Sequence, residues 1–298
     1  MNIVVFGAGA IGSLFGALLS KKNNVLLVGR NDHVTKITED GLKISGKTTF
    51  HDHISAATSV KDISFRPDLI LLTVKSYDTA DAVKQICPIM SDHTFLLIFQ
   101  NGLDNISHIE QHVSRNKIIA GITTHGSVFQ GPGEIIHRGH GLTIIGELNG
   151  KKSQRIKDIA LIMTDAGIST TISTDIIKEI WKKAIINSSI NPLTAIFQCP
   201  NGYLLANPIL KRIVTAICEE STMIAQSEGI DVSIQEMCSL TTTVISETHE
   251  NISSMLQSIK KHKKTEIDSI NQALVKIGRK NDINVFLNKM ITHIITHL

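Results

Sequence analysis

Lys183, Asn187 and Asn191 recur at every fourth position of EIWKKAIINSSINPLTAIFQCPNG, residues 179–202. On a helix each four-residue step turns about 400°, so the three side chains share one face and drift by only about 80° in all. Ile180, Trp181, Ala184, Ile185, Ile186 and Ile190 take much of the remaining circumference. A helix this apolar is buried, and buried polar groups need partners, from the protein or from a ligand in a cleft. Spacing alone leaves both readings open, and Lys183 read alone is also consistent with a snorkelling surface lysine like Lys182. If the stripe faces a ligand, its chemistry is definite. An ammonium stabilises negative charge developing on a substrate oxygen and supplies a proton, and desolvation lowers its pKa toward neutrality. Asparagines hold hydroxyls or carboxylates without adding charge.

A second constellation supplies a reason for such charge to develop. FGAGAIG sets Gly7, Gly9 and Gly12 in GxGxxG spacing, after the apolar run IVVF and ahead of a helical pattern. In that context Gly7 permits a tight turn, Gly9 a close backbone approach to a pyrophosphate, and Gly12 close helix–strand packing. The helix N-terminus then offers unpaired N–H groups to the phosphates. Hydride delivery from a bound nicotinamide to a ketone is the reaction that would need Lys183. At the end of the second strand, VGRND puts Arg30 where an NAD site usually has an acid, and a guanidinium suits a 2′-phosphate. Asp32, two residues on, is the alternative NAD acid. Lys75 ends the DLILLTVK run, a second cation on the same edge. The balance favours NADP(H). Asn101 in QNG and the THGS segment 124–127 also follow strands; QNG alone reads equally as a turn, and His125 is a candidate general acid.

These residues need two kinds of scaffold. The first half alternates strand and helix patterns, with continuous apolar runs suited to a parallel sheet covered on both faces. KISGKTTF (43–50) reads as a hairpin turning at Ser45-Gly46. Beyond about residue 173, long helical patterns cover 174–196, 207–228, 233–249 and a broken 251–278. The expected architecture is α/β: an N-terminal Rossmann-type dinucleotide-binding domain at 1–172, followed by an all-α substrate and catalytic domain at 173–298.

Composition narrows the function classes. The 298 residues suffice for two domains, and a formal charge of +3 is too mild for a nucleic-acid partner. The basic run Lys260–Lys264 reads as a solvated face. Four scattered cysteines without CxxC spacing fit free thiols in a reducing compartment. No secretory leader or stretch of about 20 apolar residues is evident, so a cytoplasmic protein with no membrane partner is expected. His51 and His53 share a strand face but lack a third ligand, so no metal site is expected.

FGAGAIG, LLTVK, QNG, GITTH, WKKAIINSSINPLTAI, CPNG, ENISSML and KTEIDSINQAL, in this order over nearly the whole chain, resemble the ketopantoate reductases (2-dehydropantoate 2-reductases). The resemblance implies NADPH-dependent reduction of ketopantoate to (R)-pantoate, toward pantothenate and coenzyme A, by a monomer or homodimer. It implies Lys183 as proton donor and Asn101, Asn187, Asn191, Asn201 and Ser254 as substrate contacts, with Asn101 also near the cofactor. Glu266 would lie where substrate meets nicotinamide. Gly7, Ala8, Gly9, Ala10, Ile11, Gly12 and Ser127 would contact the cofactor, and Arg30 and Lys75 its 2′-phosphate. The alanines around Gly9, and Gln100 and Leu103-Asp104 around the Asn-Gly pair, vary the pattern without altering the chemistry. Another branched 2-keto acid is the alternative substrate, and a non-catalytic NADP(H) sensor the alternative class. One geometric condition follows. On one straight helix Ser254 and Glu266 would lie about 18 Å apart, too far for one small substrate, so the chain must break near 260–265, with Thr265 or a neighbour opening a new helix.

Overall fold

The computed structural model describes all 298 residues, Asp62 in its backbone only. Its strands are β1 (Asn2–Phe6), β2 (Asn24–Val28), β3 (Leu42–Gly46), β4 (Phe50–Asp52), β5 (Ser55–Ala57), β6 (Leu69–Leu72), β7 (Phe95–Ile98), β8 (Ile118–Thr123), β9 (Gly126–Gly131), β10 (Glu134–Gly139), β11 (Thr143–Glu147) and β12 (Thr170–Ile172). Its helices are α1 (Ala10–Ser20), α2 (Asn31–Asp40), α3 (Thr79–Ile86), α4 (Asn105–Glu110), α5 (Gln154–Asp165), α6 (Ile176–Phe197), α7 (Tyr203–Ala206), α8 (Pro208–Ser227), α9 (Ile234–Glu247), α10 (Ser254–Lys260), α11 (Asn271–Lys280) and α12 (Phe286–Thr296). Two compact units result. One holds residues 1–100 and 106–176; the other holds 101–105 and 177–298.

In the first unit the apolar runs IVVF, VLLV, LILL and LLI are buried on both faces, as a sheet covered by helices demands. The strand order is β12-β11-β8-β7-β6-β1-β2-β5. From β5 to β8 neighbouring strands run parallel; β11 is antiparallel to β8 and parallel to β12. The chain visits β2 on one side of β1 and then β6 on the other, so the order reverses at β1. Open α/β sheets bind ligands at the strand carboxyl ends of such a switch point. Phe15, Leu19, Leu27, Leu71 and Ile119 form part of the core beneath it.

A second sheet, β4-β3-β10-β9, belongs to the same unit. The hairpin expected to turn at Ser45-Gly46 instead turns beyond it, because Gly46 still belongs to β3. A Cβ at Gly46 would sit 2.4 Å from the His137 carbonyl oxygen of β10, so this glycine serves strand approach. Buried His33 ties the sheet to α1 and α2. Gly133 N–H donates to its Nδ1 at 2.8 Å, leaving Nε2–H to donate to Ser13 Oγ at 3.0 Å.

The second unit is helical. Ser188 and Ser189 of α6 both donate their hydroxyls to the Ile185 carbonyl, and Pro192 lies inside the helix. A proline has no N–H for the carbonyl four residues back, and that carbonyl belongs to Ser188. Asn271 Nδ2, at the start of α11, donates to it at 3.1 Å and to Asn288 Oδ1 at 2.9 Å. Asn288 Nδ2 in turn donates to Glu220 of α8, whose carboxylate also accepts the Leu287 and Asn288 N–H groups at the start of α12. One buried polar chain therefore joins α6, α11, α12 and α8. Around it pack Trp181, Ile185, Ile224, Met237 and Leu274 on one side, and Leu193, Leu204, Ile217, Leu256 and Ile291 on the other. The expected break is present: α10 ends at Lys260 and the next α-helix opens at Asn271, later than Thr265. Among the described residues, no helix is long and apolar enough to cross a membrane.

Asn271→Ala strands the Ser188 carbonyl and the Asn288 amide oxygen in the interior. It is expected to destabilise the protein by about 2–4 kcal/mol, read as a lowered midpoint in urea unfolding. His33 gives a pH dependence. Burial lowers its pKa to about 4 from 6.5, so the unfolded chain binds more protons between those values. Its stabilisation is full above pH 6.5 and is lost as pH falls toward 4, by at most about 1.4 kcal/mol per pH unit. Unfolding midpoints measured from pH 7 to 4 are expected to show this slope, reduced in His33→Gln.

Candidate functional site

The glycine loop closes the carboxyl end of β1. Gly7 has φ +110°, and a Cβ there would meet Val74 N at 2.5 Å. At Gly12 a Cβ would meet the Gly7 carbonyl oxygen at 2.3 Å and Thr73 Oγ1 at 2.5 Å. The fold's own packing thus requires both glycines. Gly9 is different: it is exposed, and a Cβ there would meet only the Gly7 carbonyl oxygen, at 3.9 Å. Nothing in the folded chain demands glycine at that position, whereas a ligand lying on the backbone would. Gly9 caps α1 with no side-chain hydrogen bond, and no acid stands in the first turn, so the helix dipole is open to an anion. The loop fits a dinucleotide pyrophosphate.

Supporting residues surround the loop. Thr73 Oγ1 donates to the Gly7 carbonyl at 2.8 Å and pins the turn; the sequence reading passed over it, although it directly follows the LILL strand. Ala8 is buried, while Ala10 and Ile11 are half-buried at the mouth of α1. Ser127 of β9 donates to the Ala10 carbonyl at 3.0 Å, joining the expected cofactor serine to the loop across 117 positions. Arg30 is exposed as the N-cap of α2. Asp32 stands in that helix's first turn, where its charge complements the dipole. Lys75 is half-buried just past β6. Gln100 Nε2 donates to Thr79 Oγ1 at 2.6 Å, while its Oε1 is buried with no hydrogen-bond partner; this orphan acceptor at the end of β7 was not foreseen.

His125 is a poor proton donor at neutral pH. Burial, and then the charges of His137 and His140, lower its pKa to about 4, and burial lowers that of His137 as well. His125 and His137 lie 3.2 Å apart through Nδ1 and Nε2. Together with His140 they form a cluster of three possible metal ligands, where the sequence reading expected none. The signal was HRGH, residues 137–140, two histidines flanking a strand end.

The second unit carries the other group of residues. Lys183 and Asn187 are half-buried on α6, and Asn191 is buried. The neighbour Lys182 pairs with Glu236 at 2.7 Å, and the hydrogen bond it donates to Glu236 raises its pKa. Asn101 Nδ2 donates to Glu266 Oε2 at 3.2 Å. Segment 101–105, expected within the first domain, groups with the second unit, because Leu103 N–H donates to the Ser269 carbonyl at 3.1 Å. Gly102, with φ +104°, presses so closely on Ser269 that a Cβ would lie 2.5 Å from the serine's. Asn201 is buried: its Nδ2 donates to Thr248 Oγ1 at 2.8 Å, while its Oδ1 has no hydrogen-bond partner. Such a buried acceptor is suited to a ligand hydroxyl. The two serines of ENISS divide their tasks. Ser253 is buried, caps α10 and accepts from Thr194 at 2.7 Å; Ser254 is exposed at the first position of the helix.

Sequence comparison places these observations among known proteins. The family described as "Ketopantoate reductase PanE/ApbA" matches residues 3–150, and its C-terminal counterpart matches residues 175–298. A 2-dehydropantoate 2-reductase of Pyrococcus abyssi is 38% identical over 292 residues, 98% of this chain and 95% of that one. Among solved structures, a D-mandelate dehydrogenase with NADH and anilino(oxo)acetate superposes with a TM-score of 0.94 at 27% identity, covering 100% and 98% of the two chains. A PanE/ApbA family ketopantoate reductase from Ralstonia eutropha JMP134 gives 0.92 at 25% identity, with the same coverage. With a dinucleotide-binding fold, a glycine loop open to an anion and family matches over both parts of its length, the chain belongs to the ketopantoate reductase family of oxidoreductases.

Proposed function

We propose that the protein reduces 2-dehydropantoate (ketopantoate) to (R)-pantoate with NADPH, a product that feeds pantothenate and coenzyme A synthesis. The observation that carries this reading is the stripe Lys183, Asn187, Asn191 on α6, joined in the same unit by Asn201 with its buried unpaired acceptor. The names of the relatives at up to 38% identity support it.

The glycine loop from Gly7 to Gly12, with Ser127 behind it, would hold the dinucleotide, and Arg30 and Lys75 would receive the 2′-phosphate. When bound, the cofactor supplies hydride. The chain supplies the rest. The Lys183 ammonium stabilises the oxygen that gains negative charge and gives it a proton. Asn187, Asn191 and Ser254 orient the carboxylate and hydroxyl of the substrate, so that the ketone is held for reaction. The Asn201 Oδ1 can accept from the substrate hydroxyl; it cannot accept from a carboxylate, which has no proton to give. The Asn101–Glu266 pair fixes the carboxamide that would serve both substrate and cofactor.

A second reading keeps the reaction and changes the substrate to another 2-keto acid, with NADH as donor. The D-mandelate dehydrogenase structure with NADH favours it, and Asp32 is close enough in sequence to Arg30 to serve as the ribose-binding acid.

Initial rates with ketopantoate and with 2-keto acids lacking its hydroxyl, each run with NADPH and NADH, separate the two. Ketopantoate with NADPH is expected to give the highest kcat/KM. Lys183→Ala is expected to lower kcat by about 100-fold or more while NADPH still binds; unchanged turnover would remove the lysine from its role. Arg30→Ala is expected to raise the KM for NADPH and leave that for NADH nearly unchanged. Asn201→Ala is expected to raise the KM for ketopantoate by about 10-fold and to affect the hydroxyl-free acids less.

A further inference from the structure

We propose that His125, His137 and His140 form a binding site for one divalent transition-metal ion, zinc by donor chemistry, beside the small sheet of the first unit. Each histidine offers one ring nitrogen, and the three nitrogens lie within 4.8 Å of one another. The His125 Nδ1 to His137 Nε2 separation is 3.2 Å. Two imidazole ligands of a tetrahedral zinc, each about 2.0–2.1 Å from the ion, have nitrogens about 3.3 Å apart. One edge of the tetrahedron is therefore already set. His125 and His137 are buried, at 8% and 1% exposure, and held by the fold: His125 directly follows β8 and packs its ring edge-on against Phe15 of α1 at 5.6 Å, and His137 belongs to β10. His140 is exposed, its ring 4.8 Å from that of His137, so a side-chain rotation suffices to bring in the third nitrogen.

The surroundings suit a ligand histidine. His137 Nδ1 lies 2.8 Å from Thr48 Oγ1. A metal-bound imidazole needs an acceptor for its other N–H, and that partner fixes the ring. Without metal, His137 Nε2 donates to the Gly139 carbonyl at 2.9 Å, and Nδ1 accepts from the threonine. Thr48 can donate or accept, so it serves both forms. Metal entry at Nε2 selects the other neutral tautomer, with the ring's single proton on Nδ1 and no net proton released, and reverses the Thr48 bond. His125 is oriented differently: its Nε2 is buried with no hydrogen-bond partner, so packing against Phe15, not an acceptor, holds this ring. The Gly139 carbonyl or a water completes a set of three nitrogens and one oxygen. Such a set suits zinc and its neighbours rather than magnesium or calcium.

The site would brace the cofactor loop without taking part in the reaction. His137 faces Ser127 across the β9–β10 register, and Ser127 donates to Ala10 at the start of α1. An ion there would bind together the end of β8, β10 and the strand that touches the glycine loop.

The test uses the full-length protein freed of metal by chelator and dialysis, titrated with Co2+ as a spectroscopic probe and with Zn2+ in competition. One tetrahedral Co2+ per chain is expected, displaced by one Zn2+, with a zinc-dependent rise of several degrees in Tm. His140→Ala, an exposed position whose metal-free Tm should match wild type, is expected to weaken binding by more than about 100-fold and to abolish the Tm rise. His297→Ala serves as control, since His293 and His297 stack at 4.3 Å on α12 and offer a competing pair; it is expected to change nothing. Absence of stoichiometric binding in the wild type overturns the proposal. So does binding that survives His140→Ala or disappears in His297→Ala.

Discussion

Helix α6 contains a proline where its polar stripe is densest, and the second unit is organised around that gap. Without the Pro192 N–H, the Ser188 carbonyl must find another donor in a buried place, where an unmade hydrogen bond costs roughly 1–3 kcal/mol. Asn271 supplies it. The Asn271 amide nitrogen donates to Asn288 as well, and Asn288 to Glu220, while Asn271 Oδ1 is left buried without a partner. Because each partner sits on a different helix, the repair fixes the register of α8, α11 and α12 against α6. A rigid α6 is what allows Lys183, Asn187 and Asn191 to present one consistent face.

The first unit reaches the same end by close approach. Gly7 and Gly12 allow the mouth of α1 to lie against the Thr73–Val74 backbone, closer than any side chain permits. Ser127 and Thr73 then fasten the loop from two other strands. Gly9 stays exposed, and no acid stands in the first turn of α1.

Much of this was legible in the sequence. The glycine loop was, because GxGxxG directly after an apolar run has a single structural context. The polar stripe was, because i, i+4, i+8 spacing is independent of tertiary structure; and the break after Lys260 followed from requiring Ser254 and Glu266 to reach one small ligand. What escaped was non-local. His137 and His140 share the local signal HRGH, but His137 meets His125 and Thr48 only through the pairing of β10 with β9 and β3. The turn expected at Ser45-Gly46 failed for the same reason: the glycine answers to a carbonyl about ninety positions away. Thr73 was overlooked because a threonine at a strand end is commonplace until β1 is known to lie beside it. Segment 101–105 was assigned by chain continuity, whereas its hydrogen bonds to Ser269 and Glu266 set its allegiance.

That excursion limits how the protein can be divided. The chain leaves the first unit after Gln100, contributes five residues to the second, and returns at Ile106. The helical unit is therefore not a C-terminal module that recombination could lift out at residue 176. Such a cut would leave behind the asparagine that satisfies Glu266 and the leucine N–H that Ser269 receives. A shuffled gene carrying only 177–298 would inherit the acid and lose the donor that Asn101 gives it.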